Sequence, residues 1–231
     1  MPRLRSAALA SVLALTLPFA SLPVMAQKAA PPGTGDPFKD TSMLKPPAGA
    51  RVAIFEWQDL GCPACAHANP YVQAAADHYH IPLERKDFPL AQHIWTFDAA
   101  VWARYLQDKV SPKTADEYRT AAFSSQMGLV TKDDMLAFTR KFFQSHGLQM
   151  PFVPDPSGQL TKEVKADYDL GMKLGVQHTP TIIVCSQHEW VHVTDVSLLY
   201  QTIEQVEAQA GTAGPPAKST VKKTSAAKPG N

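Results

Sequence analysis

Apolar and polar positions change period several times along this chain, and each change predicts an element. Arg51-Val-Ala-Ile-Phe-Glu-Trp57 is a compact apolar run broken by one acid, the pattern of a buried central strand. After Gln58–Gly61 the period becomes helical, with Cys65, Asn69, Val72, Ala76 and Tyr79 on one face. Pro63 falls in the first turn of that helix, where a missing N–H costs no hydrogen bond. Ile81–Leu90 predicts a second strand, with prolines near both ends.

From Ala91 onward the pattern is helical. Ile94, Phe97, Val101 and Tyr105 form one stripe, and Ser111-Pro112 starts a second helix. Thr131 with Asp134 resembles a capping box for a third, which turns Met135, Phe138 and Phe142 inward and stops at Gly147. Pro151, Pro154 and Pro156 break the pattern. Ser157–Leu174 is a further helix carrying Leu160, Val164 and Tyr168, closed by Gly175. Strand character returns at Pro180–Cys185 and Trp190–Thr194, with Ser186–Glu189 as the turn. Val196, Leu199, Ile203 and Val206 mark a last helix ending near Gly211. The resulting fold class is α/β, interrupted by an all-helical insertion. Residues 50–90 and 157–210 form the two parts of the α/β domain, and 91–156 form the insertion.

The two ends read differently. Residues 1–26 combine Arg3 and Arg5, an apolar run from Ala7 to Ala20 and the small-residue ending Val24-Met25-Ala26, which together predict a cleaved signal peptide. The run contains Pro18 and is short for a membrane span. Residues 27–49 are an irregular lead-in rich in Pro, Gly and Lys, and 211–231 a Lys/Ala/Pro tail expected to be disordered. The mature protein is therefore expected to be soluble and exported, to the periplasm or its equivalent, where disulfides persist.

Composition sharpens this picture. A 45% hydrophobic, 19% charged chain of 231 residues has ample material for a core. The net charge of +1 hides an uneven distribution, since the tail holds four lysines and no acid. Nothing resembles the basic footprint of a nucleic-acid binder. Three cysteines are too few for a disulfide scaffold.

Two of them are spaced as Cys62-Pro63-Ala64-Cys65, at a strand-to-helix junction. There the first cysteine meets the positive end of the helix dipole and unpaired N–H groups, which favour the thiolate. Cys62 is accordingly the candidate nucleophile and Cys65 the resolving thiol. A structural disulfide competes with this reading. Zinc would need a second ligand pair, and haem attachment a histidine directly after Cys65, where Ala66 precedes His67.

Several further positions resemble the DsbA family of thiol–disulfide oxidoreductases. Glu56 lies six residues before Cys62, and Pro70 eight after it. His178-Thr179-Pro180-Thr181 precedes a strand, like that family's cis-proline loop, and the helical block sits where the family inserts its helical domain. The resemblance covers roughly 44–210 and implies a thioredoxin-like fold. It further implies that Pro180 is cis and packs on the disulfide. Thr179 would offer its backbone to substrate. Glu56 would be a buried acid of raised pKa serving Cys65.

One position departs from the family. Ala64 stands where typical DsbA oxidases carry a histidine, which predicts a less oxidising couple. The implied activity is a dithiol oxidase that needs no cofactor. Its partners would be cysteine-containing exported proteins and a membrane redox partner for recycling. A reductase or isomerase on the same fold is the alternative, although the lead-in is short for an isomerase's dimerisation domain. A metal-binding chaperone using His67 and His178 beside the cysteines is a third. Cys185 reads as a buried inert thiol. Trp57, Trp95 and Phe97 fit either a substrate groove or the core.

Overall fold

A computed structural model describes residues 43–212. The predicted signal peptide and nearly all of the predicted tail lie outside them.

Strand β1 (Val52–Gln58) is buried at every position, because it has neighbours on both sides and cover on both faces. Helix α1 (Pro63–Tyr79) crosses over to β2 (Leu83–Asp87), which pairs parallel to β1. Strand β3 (Thr181–Ser186) pairs antiparallel to β1 on the other side, and β4 (Trp190–Val193) completes the sheet in the order β2-β1-β3-β4.

Alternation along β1 sends its side chains to two cores. Val52 and Ile54 join Ile182 and Val184 against Val72 and Ala75 of α1 and against Leu199 and Ile203 of α6 (Leu199–Thr212). Ala53, Phe55 and Trp57 face the opposite side, with Phe88, Leu174, Ile183 and Trp190. There α5 (Gln159–Lys173) comes so close that a Cβ on Gly171 would sit 2.7 Å from the Trp57 indole nitrogen.

Between the halves of this sheet the chain forms α2 (Thr96–Lys109), α3 (Pro112–Ser125) and α4 (Lys132–Ser145). Ser111 caps α3 by accepting from Thr114 N–H, and Thr131 with Asp134 makes the reciprocal box that starts α4. Trp102, Leu106, Tyr118, Phe142 and Phe143 knit these helices into their own apolar cluster. Cys62 and Cys65 belong to that cluster, so α1 begins where the sheet domain meets the helical block. No helix of the described residues is long and apolar enough to cross a membrane.

Three details differ from the sequence pattern. The second strand stops at Asp87, since Pro89 has no N–H to continue the ladder. Ile94 is 58% exposed and precedes α2, because residues 90–96 are spent on turns closed by His93 N–H to Leu90 O and Thr96 N–H to His93 O. Tyr168 lies at the rim of α5, stacked on Phe88, while Leu160, Val164, Asp167 and Gly171 face inward.

Candidate functional site

Cys62 is the cap residue of α1, with extended backbone and no side chain capping the first turn. The first-turn N–H groups therefore remain available to whatever occupies the cap. Pro63 occupies the first helical position without sacrificing one of them. The turn before it is held by Cys62 N–H donating to Asp59 O at 3.0 Å.

The two thiols are driven in opposite directions. A hydrogen bond from Cys65 draws the Cys62 pKa down to about 5; burial opposes it, and backbone N–H groups of Cys65 and Ala64 assist. As a thiol, Cys62 lies 3.3 Å from the Thr179 carbonyl. A thiolate cannot donate to that carbonyl; the Thr179 hydroxyl, which is buried without another partner, is then the available donor. Cys65 has no exposed surface, and burial followed by the negative Cys62 pushes its pKa up.

Facing Cys62 across the site is the Thr179–Pro180 peptide bond, which is cis. Thr179 is 8% exposed, and its carbonyl is the atom that Cys62 meets. His178 of this loop and His192 of β4 have ring centroids 6.2 Å apart. His192 is buried, which lowers its pKa, as does His178. Among the described residues, no three His, Cys, Asp or Glu side chains converge as metal ligands. His67 instead packs against Tyr71 on the same helix.

Glu56 is fully buried, on the β1 face shared with Val52 and Ile54. Burial raises its pKa against the pull of Arg85 and Arg119. Its Oε2 accepts from Arg85 at 2.7 Å, whereas Oε1 has no hydrogen-bond partner. Glu56 and Arg85 are register partners on adjacent parallel strands, so the sheet itself brings the pair together. Arg85 also reaches Asp116 of α3 at 2.9 Å and the Gln58 and Gln73 side-chain oxygens at 3.2 Å.

This ion pair continues into a buried cluster. Arg104 of α2 donates to Asp87 at 2.6 Å and pairs with Asp167 of α5. Arg119, with 1% of its side chain exposed, lies 3.9 Å from Asp87 and from Asp116. Sheet and helices are thus fastened together beside the cysteines by alternating charges.

Cys185 lies on β3, fully buried, with its Sγ 3.1 Å from the Leu44 and Ser186 carbonyls. Burial pushes its pKa up to about 12. Trp57 and Trp95 are core residues, and Phe97 packs against Leu160 and Val164.

The sequence reading missed Arg85, Asp116 and Arg119, as well as Asp59 and His93, which lie at the turn before Cys62. A signal for the first existed in Arg85 and Asp87, two charges at strand period in a segment between apolar neighbours. Asp59 is the acid closest in sequence to Cys62. Only the three-dimensional fold brings His93 to it.

Comparison with known proteins agrees with this geometry. The thioredoxin family model matches residues 41–204. A search of curated proteins finds no match. Among solved structures, DsbA2 of Pseudomonas aeruginosa is similar with a TM-score of 0.53 at 18% identity, over 70% of this chain and 92% of that one. Alpha-DsbA1 of Wolbachia pipientis is similar with a TM-score of 0.57 at 14% identity, over 74% and 97% of the two chains. A periplasmic thioredoxin-like protein of Salmonella enterica serovar Typhimurium is similar with a TM-score of 0.57 at 16% identity, over 70% and 87%. These likenesses show a DsbA-type fold, a thioredoxin-like sheet carrying a helical insertion.

Proposed function

Because the chain belongs to the thioredoxin family, we propose that it is an exported thiol–disulfide oxidoreductase that forms disulfides in other exported proteins through Cys62 and Cys65. The observation that carries this reading is the opposed pair of thiols at the start of α1, one drawn down to about 5 and its neighbour pushed up. A low-pKa cysteine is a good leaving group, and a protein that stabilises its thiolate stabilises its own reduced form. That asymmetry suits accepting electrons.

In the forward direction a substrate thiolate attacks Cys62 of the Cys62–Cys65 disulfide. The S–S bond breaks, and Cys65 leaves as a thiolate that promptly takes a proton, because burial disfavours its charge. Glu56, buried and raised in pKa, supports that proton transfer. A second substrate thiolate then attacks the substrate sulfur of the mixed disulfide and expels Cys62 as a thiolate. Two electrons pass from substrate to protein. Thr179, which meets Cys62, and the cis-linked Pro180 receive the substrate segment. Reoxidation falls to a membrane redox partner.

Ala64 supplies no imidazole to the Cys62 thiolate, so the couple is expected to be less oxidising than in DsbA oxidases with histidine there. Equilibration with glutathione measures this, alongside thermal unfolding of the oxidised and reduced protein. An oxidase is more stable reduced. A clearly more stable oxidised form would make the protein a reductase. A Cys65→Ser variant should trap Cys62 in mixed disulfides with its substrates, and a variant that traps nothing from an exported proteome would sink the exchange reading.

A further inference from the structure

Asp59 is a buried carboxylate that the exchange mechanism above does not use. Its side chain is fully enclosed and accepts from Gly61 N–H at 3.1 Å and Leu90 N–H at 3.3 Å. Its one ion-pair partner among the described residues is His93, whose Nδ1 bonds Oδ2. The imidazole is wedged against the turn itself, since a Cβ on Gly61 would lie 2.8 Å from His93 Cγ. A quarter of the His93 side chain is exposed, and with Nδ1 committed to Asp59 its free nitrogen is Nε2. Asp59 also touches the cysteines through its backbone: its carbonyl accepts from Cys62 N–H, and its own N–H favours the Cys65 thiolate.

Removing one partner of a buried pair leaves the other charge uncompensated. At this position the uncompensated charge would be negative and next to the residue that must itself be negative. The other ionisable groups close in the chain to this contact are the Cys62 and Cys65 thiols and three acids that already have partners: Glu56 with Arg85 at 2.7 Å, Asp87 with Arg104 at 2.6 Å and Asp98 of α2 with Lys132 at 2.8 Å. We infer that His93 is a positioning residue for Cys62, offsetting the buried Asp59 carboxylate so that the thiolate forms beside it. The imidazole thus enters from the loop before α2, whereas position 64 of this chain holds Ala. This inference rests on Cys62 being the nucleophile.

The test is a double-mutant cycle of His93→Ala, Asp59→Asn and the two combined, read by the ultraviolet thiolate absorbance across pH and by equilibration with glutathione. Cys65 and Cys185 titrate far higher, so the low-pH transition belongs to Cys62. His93→Ala should raise that midpoint by about one unit, a tenfold gain in proton affinity. At neutral pH the redox equilibrium then shifts about tenfold toward the disulfide, or about 30 mV in the reducing direction. His93→Gln, which keeps an N–H for Asp59, should fall between.

Decisively, Asp59→Asn added to His93→Ala should return the midpoint to the parent value, which a merely structural pair would not do. A His93→Ala midpoint that stays put, or a double variant no better than the single one, overturns the inference. If His93→Ala fails to fold, the His93→Gln and Asp59→Asn/His93→Gln pair decides by the same criterion. Loss of the low-pH transition from the parent protein would instead refute Cys62 as the nucleophile.

Discussion

The start of α1 and the middle of β3 each hold a buried cysteine, and they make opposite reagents of it. Cys62 is 8% exposed and Cys185 not at all, so burial penalises both thiolates. At Cys62 a thiol hydrogen bond and the backbone N–H groups of an uncapped helix outweigh that penalty and leave the pKa near 5. At Cys185 the strand is paired on both sides, to Ala53 of β1 and Trp190 of β4, and the sulfur faces two carbonyls. Only the charge of Lys45 opposes desolvation there, and the pKa reaches about 12. Hydrogen bonds donated to the sulfur, more than exposure, separate the two thiols.

The comparison breaks most directly by exchanging the cysteines' roles. Cys62→Ala should abolish oxidation of a model dithiol substrate, whereas Cys185→Ala should leave its rate unchanged. A strong loss in the second variant would mean that Cys185 takes part in exchange.

The next largest effect concerns the charge under the reactive pair, which Cys185 lacks. Arg85→Met strips Glu56 of its 2.7 Å partner and should cost roughly 3 kcal/mol of unfolding free energy in urea. Glu56→Gln keeps an acceptor for Arg85 but cannot exchange a proton, so substrate oxidation should slow roughly a hundredfold. Stopped-flow tryptophan fluorescence is the measurement, and an unchanged rate would remove Glu56 from the proton path.

The smallest effect is a slope. Cys62 titrates near 5 when folded, against 9.0 for an ordinary thiol, so the folded state favours the thiolate. Its stabilisation is fully present above about 9 and is lost as pH falls through 5. The disulfide form has no such proton. The reduced form should therefore gain stability over the oxidised form by up to about 1.4 kcal/mol per pH unit across that window. Equal pH dependence of the two forms would show that the Cys62 thiolate is not stabilised by the fold.

Much of this contrast was legible before any coordinates. Cys62 stood out because a CxxC at a strand-to-helix junction has a physical use, and Cys185 because it ended an apolar run. Glu56 was expected to be buried from the family resemblance, and the period of β1 puts it on the face of Val52 and Ile54. Ile94 misled, because turn hydrogen bonds around His93 outbid the helical pattern. Arg85, Asp116 and Arg119 stayed hidden, since a charge in sequence looks the same whether it faces water or a partner.

Local pattern by itself determined the elements, the caps of α3 and α4, the order of the α/β domain and its insertion, and the candidate nucleophile among the cysteines. These depend on periodicity and on groups a few residues apart. Tertiary structure alone decided what surrounds that cysteine. It brought Thr179 to Cys62 across 117 residues, Arg85 to Glu56 across 29, and His93 to Asp59 across 34. The physical reason is that a buried charge is tolerable only beside its counter-charge. Which residues become neighbours is set by strand register and helix packing, and no local period records that.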